Sequence, residues 1–133
     1  MEHDSPVRVL IVDDLFIVRQ TLRCILQPYL NIEVVGEAGD GDEAVKYVAR
    51  LQPDVVVMDV NMTKMDGITA ARLIKAQYPH VLVLGFSADL KDYDVCAMQQ
   101  AGACEVLRKE DAMKDLYGAI QRAVTALHTN PTP

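Results

Sequence analysis

The sequence predicts an α/β fold, a single domain built on a five-stranded parallel sheet with helices over both faces. Three observations predict it. Short runs rich in β-branched residues alternate with helical patterns five times along the chain, the signature of successive strand–helix–strand units. Four of the five runs lack a polar–apolar alternation, as strands buried on both faces do. The chain has 133 residues, 50% of them apolar, which is enough for one core and too few for two ordinary ones.

The strands read as Val7–Val12, Ile32–Gly36, Asp54–Met58, Val81–Phe86 and Glu105–Leu107. The first helix is expected to open at Asp14, whose side chain doubles as an N-cap, to turn Val18, Leu22, Ile25 and Leu26 inward, and to stop at Pro28. The second starts at Asp40, three residues before Glu43 in a capping-box pattern, and buries Ala44, Val45 and Val48. Gly67 precedes the third, which carries Ala70, Ala71, Leu73 and Ile74 and ends before Pro79. The fourth, Asp92 to Ala101, has a thin apolar face of Val95 and Met98 diluted by Gln99 and Gln100, so it is a candidate for movement. The last repeats Ala112, Leu116, Ala119, Ile120, Ala123 and Leu127 at helical steps. Residues 1–6 read as a flexible, polar and acidic N-terminus, 7–127 as the domain, and 128–133 as a linker or disordered tail.

A net charge of −6 with no basic run argues against a nucleic-acid-binding surface in this segment. Cys24, Cys96 and Cys104 are odd in number and lack CxxC spacing, so neither a disulfide framework nor a zinc site is expected, and buried or neutral thiols are. No apolar run reaches the length of a membrane span, and no secretory leader pattern opens the chain, which together suggest a reduced cytoplasmic setting.

The chemistry sits at strand ends. Asp13-Asp14 follow the first apolar run, Asp59 the third, and Lys109 the fifth. If these strands are parallel neighbours, three carboxylates crowd together beside one ammonium. That cluster calls for a hard divalent cation with oxygen ligands, Mg²⁺ foremost, which would relieve the repulsion and leave positions open for a phosphoryl group. Any one of these features has an ordinary explanation: an acidic pair is usually a cap or a solvated turn, and a lysine after a strand is usually a surface residue.

Taken together, they resemble the receiver domain of two-component response regulators over essentially residues 7 to 127. The acidic pair, Asp59, the stretch Asp59-Val60-Asn61-Met62-Thr63-Lys64-Met65-Asp66-Gly67, the hydroxyl of Ser87 and then Lys109 occur in that family's order. The intervals agree too, with Ser87 lying 28 residues after Asp59 and 22 before Lys109. The resemblance implies a doubly wound sheet in the order 2-1-3-4-5. It implies that Asp59 accepts a phosphoryl group from the phosphohistidine of a sensor kinase or a phosphotransfer protein. Asp14 and Asp59 would bind Mg²⁺ through carboxylate oxygens, Asn61 through its backbone carbonyl, and Asp13 directly or through a water. Lys109 would pair with the phosphoryl oxygens or, before phosphorylation, with Asp59. Ser87 would hydrogen-bond the phosphoryl group and draw its loop inward, or, on a blander reading, cap the following helix. The role implied is a switch that changes an output surface, not a turnover enzyme. A downstream output domain or protein and a homodimer formed on phosphorylation are the further partners implied.

Three positions depart from the family pattern. Thr63 stands where proline is common, Gly85 weakens the fourth strand or admits a close neighbour, and Val106 replaces the usual aromatic partner of the switch. Val83-Leu84-Gly85-Phe86-Ser87 and the Pro- and Thr-containing tail look most like regulators that continue into a C-terminal helix-turn-helix. Two rivals remain. A haloacid-dehalogenase-type phosphatase would share an aspartyl nucleophile, but Asn61 stands where that chemistry needs a general acid. A pseudo-receiver interaction module would keep the fold without the phosphorylation.

Overall fold

In a computed structural model the described residues are 5–89 and 91–129. Five strands alternate with five helices: β1 (Val7–Val12), α1 (Phe16–Leu26), β2 (Ile32–Ala38), α2 (Gly41–Leu51), β3 (Val55–Asp59), α3 (Gly67–Gln77), β4 (Leu82–Ser87), α4 (Asp92–Gln100), β5 (Glu105–Arg108) and α5 (Lys109–Thr129). All neighbouring strands pair in parallel, in the order β2-β1-β3-β4-β5. The predicted sheet is therefore the observed one. β2 runs two residues beyond its expected end because it pairs along the full length of β1 and carries one extra residue, Val35, the register stepping from Val9↔Val34 to Leu10↔Gly36.

Side chains alternate across the sheet into two cores. Val9, Ile11, Val55, Val57, Leu84 and Phe86 meet α1 and α5 on one face. Leu10, Val12, Val56, Met58 and Val83 meet α2, α3 and α4 on the other. The missing alternation in the sequence follows directly, since both faces of the central strands are dry. Each crossover then carries the chain back to begin the next strand, so every carboxyl end of the sheet faces the same way.

The helix ends follow their local chemistry. Asp40 caps α2 by accepting from Glu43 N at 2.8 Å, while the Glu43 carboxylate reaches Gly39 N at 2.7 Å. Asp66 caps α3 through Thr69 N at 2.7 Å. The expectation for α1 is corrected: the helix begins at Phe16 after Leu15, without a side-chain cap, and Asp13 rather than Asp14 turns back to accept from Leu15 N at 2.8 Å. α4 buries only Met98 fully, with Val95 half-buried.

Other expectations are corrected at the surface. Leu73 is 43% and Leu127 56% exposed, because each lies past the rim of its helix's buried face. All three cysteines are exposed. α5 is not one regular helix, since Asp115 leaves helical geometry (φ −145°, ψ 42°) and divides it. α5 reaches Thr129, inside the segment assigned to the tail, whereas 130–133 and the first four residues of the N-terminal segment lie outside the described residues.

Candidate functional site

Asp13 and Asp14 follow β1, Asp59 ends β3, Ser87 ends β4, and Lys109 is the first residue after β5. The parallel sheet brings all of them to its carboxyl end. Asp13, Asp14 and Asp59 each offer a carboxylate oxygen, and these oxygens lie within 4.8 Å of one another. Asp13 is fully buried, Asp59 is 4% exposed, and Asp14 is half-buried. Two acids are thus removed from water with a third at the mouth, so the cluster opens to solvent on the Asp14 side.

Lys109 Nζ stands 3.1 Å from Asp13 Oδ2 and 3.9 Å from Asp59 Oδ2. The tighter partner is Asp13, not Asp59 as the resemblance implies. Even so, the contact is an ion pair without the alignment of a hydrogen bond, and buried Asp13 Oδ2 has no hydrogen-bond partner among the described residues. The ammonium also lies 5.6 Å from the centre of the Phe86 ring, whose face favours a cation.

Burial pushes the Asp59 carboxyl up to about 7, with the neighbouring charge of Asp13 adding to the rise. The hydrogen bond from Asn61 N and the charge of Lys109 oppose it without cancelling it. An orphaned, buried carboxylate oxygen beside two further carboxylates fits a hard divalent cation, because only oxygen donors are offered and a single ammonium does not neutralise three acids.

The loops around the cluster are tightly fixed. Gly67 N donates to Val60 O at 2.8 Å, and a Cβ on Gly67 would run into the carbonyl oxygen of Asp59, so α3 approaches the end of β3 only because this residue is glycine. Asn61 N donates to Asp59 Oδ1 at 3.1 Å, and the Asn61 amide Nδ2 donates to Ser87 Oγ at 3.1 Å. Ser87 does not cap α4, which starts five residues later after Lys91. Thr63 is exposed on the same loop.

Sequence reasoning missed two residues here. Arg19 of α1 donates through Nη1 to Asp13 O at 2.8 Å and through Nε to Glu37 at 3.0 Å, bracing the acidic loop against β2. Burial alone would push the Glu37 carboxyl up, but hydrogen bonds from Arg23, Arg19 and Gln20 outweigh it and hold it below its ordinary value. Nothing in the spacing of Arg19 and Glu37 signals this contact, which arises only when α1 is laid over β2.

Comparison with known proteins agrees with the geometry. The family model described as "Response regulator receiver domain" matches residues 9–121. Over 105 residues the chain is 42% identical to "Protein-glutamate methylesterase/protein-glutamine glutaminase 5" of Anaeromyxobacter dehalogenans, covering 78% of this chain and 29% of that protein. It is 36% identical over 117 residues to "Transcriptional regulatory protein LiaR" of Bacillus subtilis, covering 88% of this chain and 56% of that protein. Among solved structures, the signal receiver domain of the putative response regulator NarL from Mycobacterium tuberculosis superposes with a TM-score of 0.84 at 30% identity, covering 89% of this chain and 95% of that one. The chain spans little more than half the length of LiaR and less than a third of the methylesterase. Regulators of the LiaR and NarL kind thus stand among the relatives, in line with the likeness read from β4 and the tail.

Proposed function

Since the chain belongs to the response regulator receiver family, we propose that it is a phosphorylation-controlled signalling switch with Asp59 as its phosphoacceptor. One observation carries this reading: the Asp59 carboxylate sits at the carboxyl end of the central strand inside an acidic cluster, with a single lysine aimed into it. Asp59 attacks the phosphorus of a phosphohistidine on a sensor kinase or phosphotransfer protein. A carboxylate O–P bond forms, the N–P bond breaks, and the imidazole nitrogen keeps the electron pair.

Asp14 and Asp59 would hold Mg²⁺ through carboxylate oxygens, Asn61 through its backbone carbonyl, and Asp13 directly or through a water. When bound, the ion supplies neutralisation of the transferring oxygens and screening of the three acids. Lys109 then serves the phosphoryl oxygens, and Ser87 donates a hydrogen bond to them from the end of β4. Among the described residues no helix is long and apolar enough to cross a membrane. A cytoplasmic setting for this domain, an output domain or protein downstream, and a homodimer of the phosphorylated form complete the reading, with no direct contact to nucleic acid by this domain.

The test is phosphorylation by acetyl phosphate with Mg²⁺. The intact mass should rise by about 80 Da, one phosphoryl group, and Asp59→Asn should not be labelled at that position. Labelling of Asp59→Asn at wild-type level, or full labelling in excess chelator, would overturn the assignment. Failure of the wild type to label would favour a pseudo-receiver. Sustained turnover of a phosphomonoester would favour a haloacid-dehalogenase-type phosphatase, against which the amide of Asn61 already stands, as it supplies no exchangeable acid proton.

A further inference from the structure

Asn61 enters the metal site in the reading above only through its main chain, yet its side chain makes a contact of its own. Nδ2 lies 3.1 Å from Ser87 Oγ, and Ser87 is 1% exposed. Through its backbone N–H the same residue holds Asp59 Oδ1 at 3.1 Å. One position earlier, Val60 N donates to Phe86 O at 2.8 Å. Two consecutive residues after β3 are therefore stitched to two consecutive residues at the end of β4, the second stitch joining nucleophile and hydroxyl through one residue, by its backbone N–H and its side-chain amide.

The direction of that bond matters. An amide NH₂ only donates, so Ser87 Oγ is the acceptor here and its own proton is turned away from Asn61. A phosphoryl oxygen only accepts, so Ser87 serves it only as a donor. A buried hydroxyl with an alternative acceptor nearby would spend its proton there. We propose that Asn61 is a positioning residue for the switch: its side-chain amide occupies the acceptor lone pair of Ser87 and presents the hydroxyl proton to the group on Asp59. The inference rests on the phosphoacceptor reading, and it assigns to the Asn61 side chain a task distinct from its carbonyl's. Because Asn61 is exposed, truncating it leaves the core untouched.

The experiment is a double-mutant cycle on Asn61→Ala and Ser87→Ala. Beryllofluoride, a stable phosphoryl mimic, is titrated at saturating Mg²⁺, and the Mg²⁺ affinity of each variant is measured separately so that any change at the carbonyl ligand is removed. Each single substitution should weaken beryllofluoride roughly threefold to tenfold, the loss of one hydrogen bond. In the Ser87→Ala background, Asn61→Ala should cost almost nothing further, since the residue it positions is gone. In parallel, on the metal-free and unmodified protein, amide exchange at residues 87–89 should quicken several-fold in Asn61→Ala. A full additional loss in the Ser87→Ala background, or unchanged exchange in the free protein, overturns the proposal. If wild-type protein binds no beryllofluoride, the phosphoacceptor reading fails, and the exchange measurement alone then decides whether Asn61 governs Ser87.

Discussion

Met98 packs against the bare backbone of Gly85: a Cβ placed on Gly85 would stand 3.0 Å from Met98 Cε and 3.2 Å from Cγ. Gly85 is also the β-sheet partner of Val106. The space a side chain at Gly85 would take is thus filled from α4, and Met98 is the only fully buried side chain of that helix. Gly85→Ala should cost about 1 kcal/mol as the thioether gives way. Met98→Ala should cost about 2–5 kcal/mol and speed amide exchange across residues 92–100. Urea unfolding and exchange would check both. Equal protection of α4 in Met98→Ala and wild type would show that the helix is held elsewhere.

The raised Asp59 carboxyl carries a sign that can be measured. Between its ordinary value of 3.8 and about 7, the folded protein holds a proton that the unfolded chain has released. Stability of the metal-free domain should therefore fall as pH rises through that window, with the full penalty present above it. Asp59→Asn should flatten this part of the profile and be the more stable protein at pH 8. Denaturant titrations at pH 5 and 8 in chelator suffice, and a wild-type stability that rises across the window would refute the sign.

Cation binding should offset the same penalty. An ion that binds only the folded state stabilises it by about 2.7 kcal/mol at a hundredfold excess over its dissociation constant, so the melting temperature should climb with Mg²⁺. Asp14→Ala should abolish that climb while leaving the buried Asp13–Lys109 pair in place. An unchanged Mg²⁺ response in this variant would locate the ion elsewhere.

Ser87→Ala should still accept a phosphoryl group on Asp59, because the nucleophile is untouched, but should lose most of the conformational response. In wild type, exchange at residues 87–89 and 91–101 should change on phosphorylation. If Ser87→Ala responds equally, the signal leaves the site by another route.

How much of this was legible in the sequence depends on how local each cause is. Strands β1, β3 and β4 were readable because both faces are dry and the composition says so. Asp40 and Asp66 cap helices through contacts within three residues, and Pro28 and Pro79 end helices by themselves, so those boundaries lie close to the expected ones. Where a neighbour in space decides, the sequence was silent. Asp13, not Asp14, accepts from Leu15 N, although both aspartates belong to a cluster that the ends of β1 and β3 assemble. The residues that the sheet brings together at its carboxyl end were picked out through their order and intervals, yet the Arg19 brace, the Phe86 cushion under Lys109 and the Asn61–Ser87 bond needed the packed structure. Leu73 and Leu127 fit a helical period and are exposed all the same, since periodicity marks a face but not how far its partner extends.

The outermost strands decide how another protein can engage this domain. β2 carries exposed Glu33 and the extra residue Val35, and Glu37 further along it is claimed by Arg19 and Arg23. At the opposite border β5 is four residues long, and Arg122 of α5 reaches across to Glu105 at 3.1 Å. Neither border offers a long, flat, uncharged row of free amides and carbonyls, so strand addition from a partner is disfavoured on both sides. Engagement of either border is thereby left to the side chains of helices and loops rather than to backbone pairing.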